Sequence, residues 1–197
     1  MVIFTGAYLM EKSRGFKLVR DIAHLLSMMP LAVPGLVLGL SYIFFFINPN
    51  NPLNFLYGSM AIMVICTIVH YYPVSHLIAV TSLKQMDPEF ESVSASLKAP
   101  SFRTFLRVTF PVCLPAVLDI SMYLFVTAMT TTSAVIFLYS PDTIVASISI
   151  INLDELGYAP SALAMGVLVI LTSGAARLVH WLLTKVVLQR TQAWRHR

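Results

Sequence analysis

"IAHLLSMMPLAVPGLVLGLSYIFFFI", residues 22–47, contains no Asp, Glu, Lys or Arg, and the charge-free run continues from there to Lys84. About 20 apolar residues are enough to cross a bilayer's hydrocarbon, so the run between Asp21 and Lys84 is long enough for two passes. A soluble core helix has no need of so much uncharged sequence. The whole chain agrees, with 57% hydrophobic and 11% charged residues, against about 25% charged in soluble domains. Its mean hydropathy is +0.79. Lipid offers no partner to a free N–H or C=O, so the spans must be helical. The fold class is all-α integral membrane, a polytopic helical bundle.

Five apolar segments follow from this reading: Met1 to Met10, Ile22 to Ile47 with Pro30 and Pro34, Phe55 to Leu83 with Pro73, Val112 to Leu138, and Ser161 to Leu183. The first is too short to span and reads as the tail of a helix. The others predict four full spans. "NPNNPLN" (residues 48–54) is a polar, Pro-rich turn between the second and third segments. The connection from Tyr139 to Pro160 has an apolar middle suited to lying on the membrane surface. "MVIFTGAYLM" has no basic residue before its apolar run, so it does not read as a signal peptide. Cys66 and Cys113 sit in apolar runs without metal-ligating neighbours and read as small buried hydrophobes.

The positive charges fix an orientation. All 13 Lys and Arg fall in three regions: Lys12, Arg14, Lys17 and Arg20; Lys84, Lys98, Arg103 and Arg107; and Arg177, Lys185, Arg190, Arg195 and Arg197. The two remaining connections have none. By the positive-inside rule the three basic regions, and with them the C-terminus, are cytoplasmic. The basic pI is thus a product of topology and does not call for a nucleic-acid partner.

That places residues 84–111 in the cytoplasm as one loop, "MDPEFESVSASLKAPSFRTFLRVTFP" from Met86 to Pro111. Asp87 is a helix cap, and Pro88 fits the first helical position, where its missing N–H costs nothing. Glu89 and Glu91 face the positive end of the helix dipole, and Phe90, Val93 and Leu97 recur at helical spacing. Pro100 disfavours helix at Ala99 and ends it. Ser101 is placed to cap a second helix bearing Phe102 and Phe105. A helix of about 10 residues is marginal alone in water, so the apolar stripe needs a partner. Packing against the protein's own spans and docking into a groove of another protein both meet that need.

The loop resembles the "EAA" loop of permease subunits in binding-protein-dependent ABC importers. That pattern has an acid, small residues, a Gly, and about ten residues on an apolar-x-apolar-Pro. Glu91 supplies the acid, Ala95 and Leu97 lie in register, and Val108-Thr109-Phe110-Pro111 supplies the end. Val93 and Ser94 stand for the two alanines, and Lys98 stands where Gly is usual. "PLAVPGLVLGL" (residues 30–40) also matches. The resemblance covers nearly the whole chain and implies a single transmembrane permease domain over residues 1–197, of the type I importer fold, lacking its first helix.

It further implies a bacterial inner-membrane, multi-pass subunit with no cofactor of its own. Its partners are an ABC ATPase dimer that binds the ATP, a second permease half or subunit, a periplasmic substrate-binding protein and the lipid bilayer. Asp87, Pro88, Glu91, Ser94, Ala95, Leu97, Lys98, Ala99 and Pro100 become the ATPase-docking loop, with Glu91, Ser94, Ala95, Leu97 and Lys98 as its face. "SLKQMDPEFESVSASLKAP", "RVTFPVCLPAVLDI" and "AMTTTSAVIFLYSPDT" are most similar to permeases for 2-aminoethylphosphonate, with ferric-iron permeases as near relatives and a polyamine-type permease as a further alternative.

Independently of resemblance, no glycine precedes a Lys-Ser or Lys-Thr pair, so the phosphate-cradling loop of an ATPase is missing. Thr127, Thr130 and Thr131 share one helical face and suit a polar translocation path. The same hydroxyls equally suit bonds to their own backbone or to a neighbouring helix. Asp119, inside the fourth segment, calls for a partner, with a loop Arg favoured over a substrate ammonium. His70 and His76 do not share a helical face, and no metal site is expected. A membrane-embedded enzyme would need a nucleophile–base or metal pair, and an ion-driven carrier would need intramembrane acids beyond Asp119.

Overall fold

The computed structural model describes the backbone of residues 1–12 and 17–191, and side chains for the same residues except Glu91 and 189–191. Arg14, Arg195 and Arg197 of the basic clusters lie outside the described residues, as does the Arg190 side chain. Every regular element described is helical. The long ones are α1 (Val2–Lys12), α2 (Lys17–Met28), α3 (Gly35–Phe46), α4 (Met60–Lys84), α8 (Leu114–Thr130) and α10 (Ala159–Thr191). Short helices α5 (Glu89–Ser96), α6 (Ser101–Thr104), α7 (Phe110–Val112) and α9 (Ala146–Glu155) lie in the connections. The chain divides into two compact units, Met1–His24 with Val74–Tyr123 and Ala176–Arg197, and Leu25–Pro73 with Leu124–Ala175.

Among the described helices, Met60–Lys84 and Ala159–Leu188 are each long and apolar enough to cross a membrane unbroken. The other two expected spans are broken. Residues 22–47 do not form one helix: Lys17–Ala32 and Gly35–Phe46 are bent by 105°. The cause is Pro34, which drives Val33 into extended geometry (φ −96°, ψ 119°). The helix in the fourth segment starts after a 68° bend between Val112 and Leu114, and it stops at Thr130 instead of running to Leu138. Three consecutive threonines weaken it there. Their branched side chains restrict rotamers, and the Thr130 Oγ1 donates to its own helix at the Val126 carbonyl (3.1 Å).

In the second unit the non-helical stretch 131–138 is laid against α3. Ala134, Val135 and Leu138 join Phe46, Ile62, Met63, Cys66 and Ile148 in one buried cluster. The approach is close because α3 presents Gly35 and Gly39, one turn apart. A Cβ on Gly39 would stand 2.6 Å from the Ala134 carbonyl oxygen, and one on Gly35 would stand 3.2 Å from the Ala134 N. The Cys66 thiol donates to the same Ala134 carbonyl at 3.4 Å. Since lipid tails are as apolar as leucine, tight packing rather than burial from water holds such contacts.

In the first unit α1 seats Phe4 and Tyr8 against Phe105, with ring centroids 6.2 and 4.5 Å apart. Phe105 opens a π-helical turn, Phe105–Thr109, whose following Phe110 N–H reaches back five residues to the Phe105 carbonyl. Pro111 explains the irregularity, since its ring and missing N–H are incompatible with a regular bond to the carbonyl four residues earlier.

Gly39→Ala is expected to cost about 1–3 kcal/mol of stability through overpacking. Gly166→Ala, whose Cβ would meet nothing within 4 Å, should be neutral or slightly stabilising. Thermal unfolding of the two variants in one detergent checks the contrast.

Candidate functional site

The loop from Asp87 to Pro111 is built as two short helices joined by a defined corner. Asp87 accepts the Glu89 N–H on Oδ1 at 2.9 Å, meeting one of the orphan donors at the start of α5. Pro88 already has helical geometry (φ −59°, ψ −20°). At the other end the Ala99 N–H donates to the Ser94 carbonyl and the Lys98 N–H to the Ala95 carbonyl, both at 3.0 Å. Those two bonds define a Schellman turn, which needs a left-handed residue between them. Lys98 takes that conformation, with φ 51°. The lysine at the usual glycine position therefore adopts the glycine-type backbone.

Pro100 then turns the chain outward in extended geometry (φ −65°, ψ 139°) and flanks α6. Ser101 is not the cap expected from the sequence. It is the first residue inside α6, and no side chain caps that helix. The two helices are tied by a hydrogen bond between the Ser94 and Thr104 hydroxyls. Ser94 is thus turned toward the loop's own second helix, while Ala95, Leu97 and Lys98 are exposed and Ala99 is half-buried. Glu91 lies in the middle of α5; its side chain is outside the described set.

Between the helices is a groove of about 620 Å³, lined by Asp87, Glu89, Phe90, Val93, Ser94, Leu97, Ala99, Arg103, Thr104, Arg107 and Val108. The apolar stripe anticipated on α5 faces into it. Val93 and Leu97 remain 57% and 75% exposed, so packing against the loop itself leaves the stripe largely open.

The threonines of the fourth segment are spread over different settings. Thr127 and Thr130 donate to the carbonyls of Leu124 (3.2 Å) and Val126 (3.1 Å). Thr131 is buried and its Oγ1 has no hydrogen-bond partner among the described residues, while its carbonyl accepts the Ser147 hydroxyl at 2.6 Å. Asp119 pairs with the His180 Nε2 of α10 at 3.1 Å, and not with a loop Arg. Nothing in the spacing of residues 61 apart along the chain signals that pair. His76 meets His24, Nε2 to Nδ1 at 3.2 Å. Among the described residues no three His, Cys, Asp or Glu side chains gather as a metal site.

The chain matches the family model described as "Binding-protein-dependent transport system inner membrane component" over residues 3–186. It is similar to the ferric transport system permease protein FbpB of Actinobacillus pleuropneumoniae, at 34% identity over 85% of this chain and 24% of that protein. It is 38% identical to the putative ferric transport system permease protein FbpB 1 of Haemophilus influenzae, over 60% of this chain and 18% of that one. It is also 36% identical to the putative ferric transport system permease-like protein AfuB of Escherichia coli, over 55% of this chain and 92% of that one. The match thus spans about a quarter or less of the two FbpB proteins' own length.

The Schellman corner yields a test. Lys98→Gly relieves a left-handed residue that costs about 1 kcal/mol, and should slow hydrogen exchange of the Ala99 amide roughly fivefold. Lys98→Val, branched at a positive φ, should speed it. Exchange measured on the purified chain in detergent reads both.

Proposed function

Since the chain belongs to the family of binding-protein-dependent transport system inner membrane components, we propose that it is the membrane-spanning permease subunit of an ATP-driven importer whose coupling element is the Asp87–Pro111 loop. The permease itself is not catalytic. Its lack of a phosphate-cradling glycine loop leaves ATP hydrolysis to a separate ATPase pair.

The observation that carries the reading is the loop's construction. In a chain otherwise dominated by long uncharged runs, residues 87–104 form a capped helix, a Schellman corner and a second helix, with an exposed apolar stripe. A lever with its ends fixed by hydrogen bonds and its apolar face uncovered suits transmission from a soluble engine. Closure of two ATPases on ATP would draw two such loops together and swing the bundles between inward- and outward-facing states. The second loop belongs to a second permease half or subunit, and solute arrives from a periplasmic binding protein. In this reading the loop, the N-terminal basic cluster and the C-terminus face the cytoplasm, which the confinement of all 13 Lys and Arg to those three regions supports.

For the solute, the relatives named for ferric transport support ferric iron ahead of 2-aminoethylphosphonate. The phosphonate expectation rests on the three loop and span stretches alone and finds no counterpart in those relatives' names. The second reading is retained only for those stretches, and uptake separates the two. Cells depending on this transporter should accumulate radioactive ferric iron and lose that on deletion. Loss of growth on 2-aminoethylphosphonate as sole phosphorus source, with iron uptake intact, would reverse the order.

Glu91→Lys should abolish uptake while the protein still reaches the membrane. Normal transport and normal ATPase co-purification in that variant would refute the coupling role of the loop.

A further inference from the structure

We infer that Arg177, Trp181 and Lys185 of α10 form a headgroup site for an anionic phospholipid. The three recur at every fourth residue, so they lie along one stripe of the helix. All are exposed, and little of the span Ala159–Leu188 is buried within the chain. Leu178 and Leu182, beside the stripe, are 61% and 52% exposed. In a chain that lies in a bilayer, such a surface meets lipid.

Two features go beyond the basic and aromatic residues that end most spans. Arg177 lies inside the fifth apolar segment, six residues before its end at Leu183, where an ionisable side chain calls for a counter-charge. Among the described residues no acid pairs with it. Asp119 of α8 is engaged by His180, at 3.1 Å. The second feature is the direction of Lys185. Its Nζ lies back over the Trp181 ring, 4.1 Å from the centroid, one turn toward Arg177. The cation–π contact thus draws together two positive charges whose backbones stand about 12 Å apart along the axis. An anion between them removes their mutual repulsion. A phosphate diester meets the guanidinium through paired N–H donors and the ammonium as a point charge, while its acyl chain lies along Leu178 and Leu182. A choline headgroup adds a cation that both side chains repel, so the site selects the anionic lipid. A free phosphate ion lacks the chain contact and is held on this open face by charge alone.

The test uses the full chain carrying Trp194→Phe, which leaves Trp181 as the sole tryptophan. It is placed in phosphatidylcholine nanodiscs containing a minority of phosphatidylglycerol, with brominated acyl chains on one lipid or the other. Bromine quenches tryptophan fluorescence on contact. Molecule for molecule, brominated phosphatidylglycerol should quench Trp181 about fivefold better than brominated phosphatidylcholine, the preference expected of one or two basic side chains near the surface. Arg177→Gln with Lys185→Gln should abolish that preference, and Arg177→Lys with Lys185→Arg should keep most of it. The parent and the conservative pair carry the test should the Gln pair fail to insert. Equal quenching of the parent by both lipids overturns the inference, as does an inserted Gln pair that keeps the parent's preference. A Trp181 that neither lipid quenches overturns it in favour of a protein, a second copy included, seated on the stripe. Loss of the preference on adding inorganic phosphate, but not on adding chloride to the same ionic strength, overturns it in favour of a free-anion site.

Discussion

A stretch of backbone that leaves the helix inside an apolar chain must be covered by protein, because lipid gives its N–H and C=O groups nothing to bond. Residues 131–138 are such a stretch, and the Gly35 and Gly39 face of α3 is what covers it. With Cβ positions at 2.6 and 3.2 Å from the Ala134 backbone, a side chain at either glycine would crowd the approach. The Cys66 thiol, bonded to the Ala134 carbonyl, and the Ser147 hydroxyl, bonded to the Thr131 carbonyl, satisfy groups the helix has released. Helix termination at the threonines, the bend at Pro34 and the buried cluster around Ile62 are thus parts of one arrangement. A second break obeys the same rule differently: the π-helical turn before Pro111 keeps its bonds by lengthening their span.

The loop between α4 and α8 solves the opposite problem. It must be ordered where water competes for every hydrogen bond. A short helix there gains little from propensity alone, so its ends are fixed by Asp87, Pro88 and the paired turn bonds around Lys98, and its side is fixed by Ser94 and Thr104. Order is achieved without filling the groove. Val93 and Leu97 are left exposed along it.

How much of this was readable beforehand depended on whether the signal was local. The membrane class, the helical loop and its Asp87–Pro88 start follow from composition and from neighbours within four residues, and they recur in the structure. A break at Pro34 is a local signal, yet a bend as large as 105° is not fixed by the proline alone. The end of α8 at Thr130 was missed because hydropathy continues undiminished through Ala134–Leu138, while helix stability does not. Ser101 looked like a cap, but Pro100 takes the boundary position. Asp119 found His180, a partner 61 positions away that no periodicity marks. The groove was invisible in sequence for the same reason, since it exists only between two helices whose angle is set at the Lys98 corner.

That corner also constrains how the gene can drift. Glycine suits a left-handed backbone best and asparagine next, while lysine tolerates it at some expense. A lysine codon lies a single base from asparagine and two from glycine. The accessible first step is therefore a residue that keeps the turn but discards the cation, and it leaves glycine still two changes away. A lysine at this corner therefore carries a surface charge on a backbone that glycine would suit better.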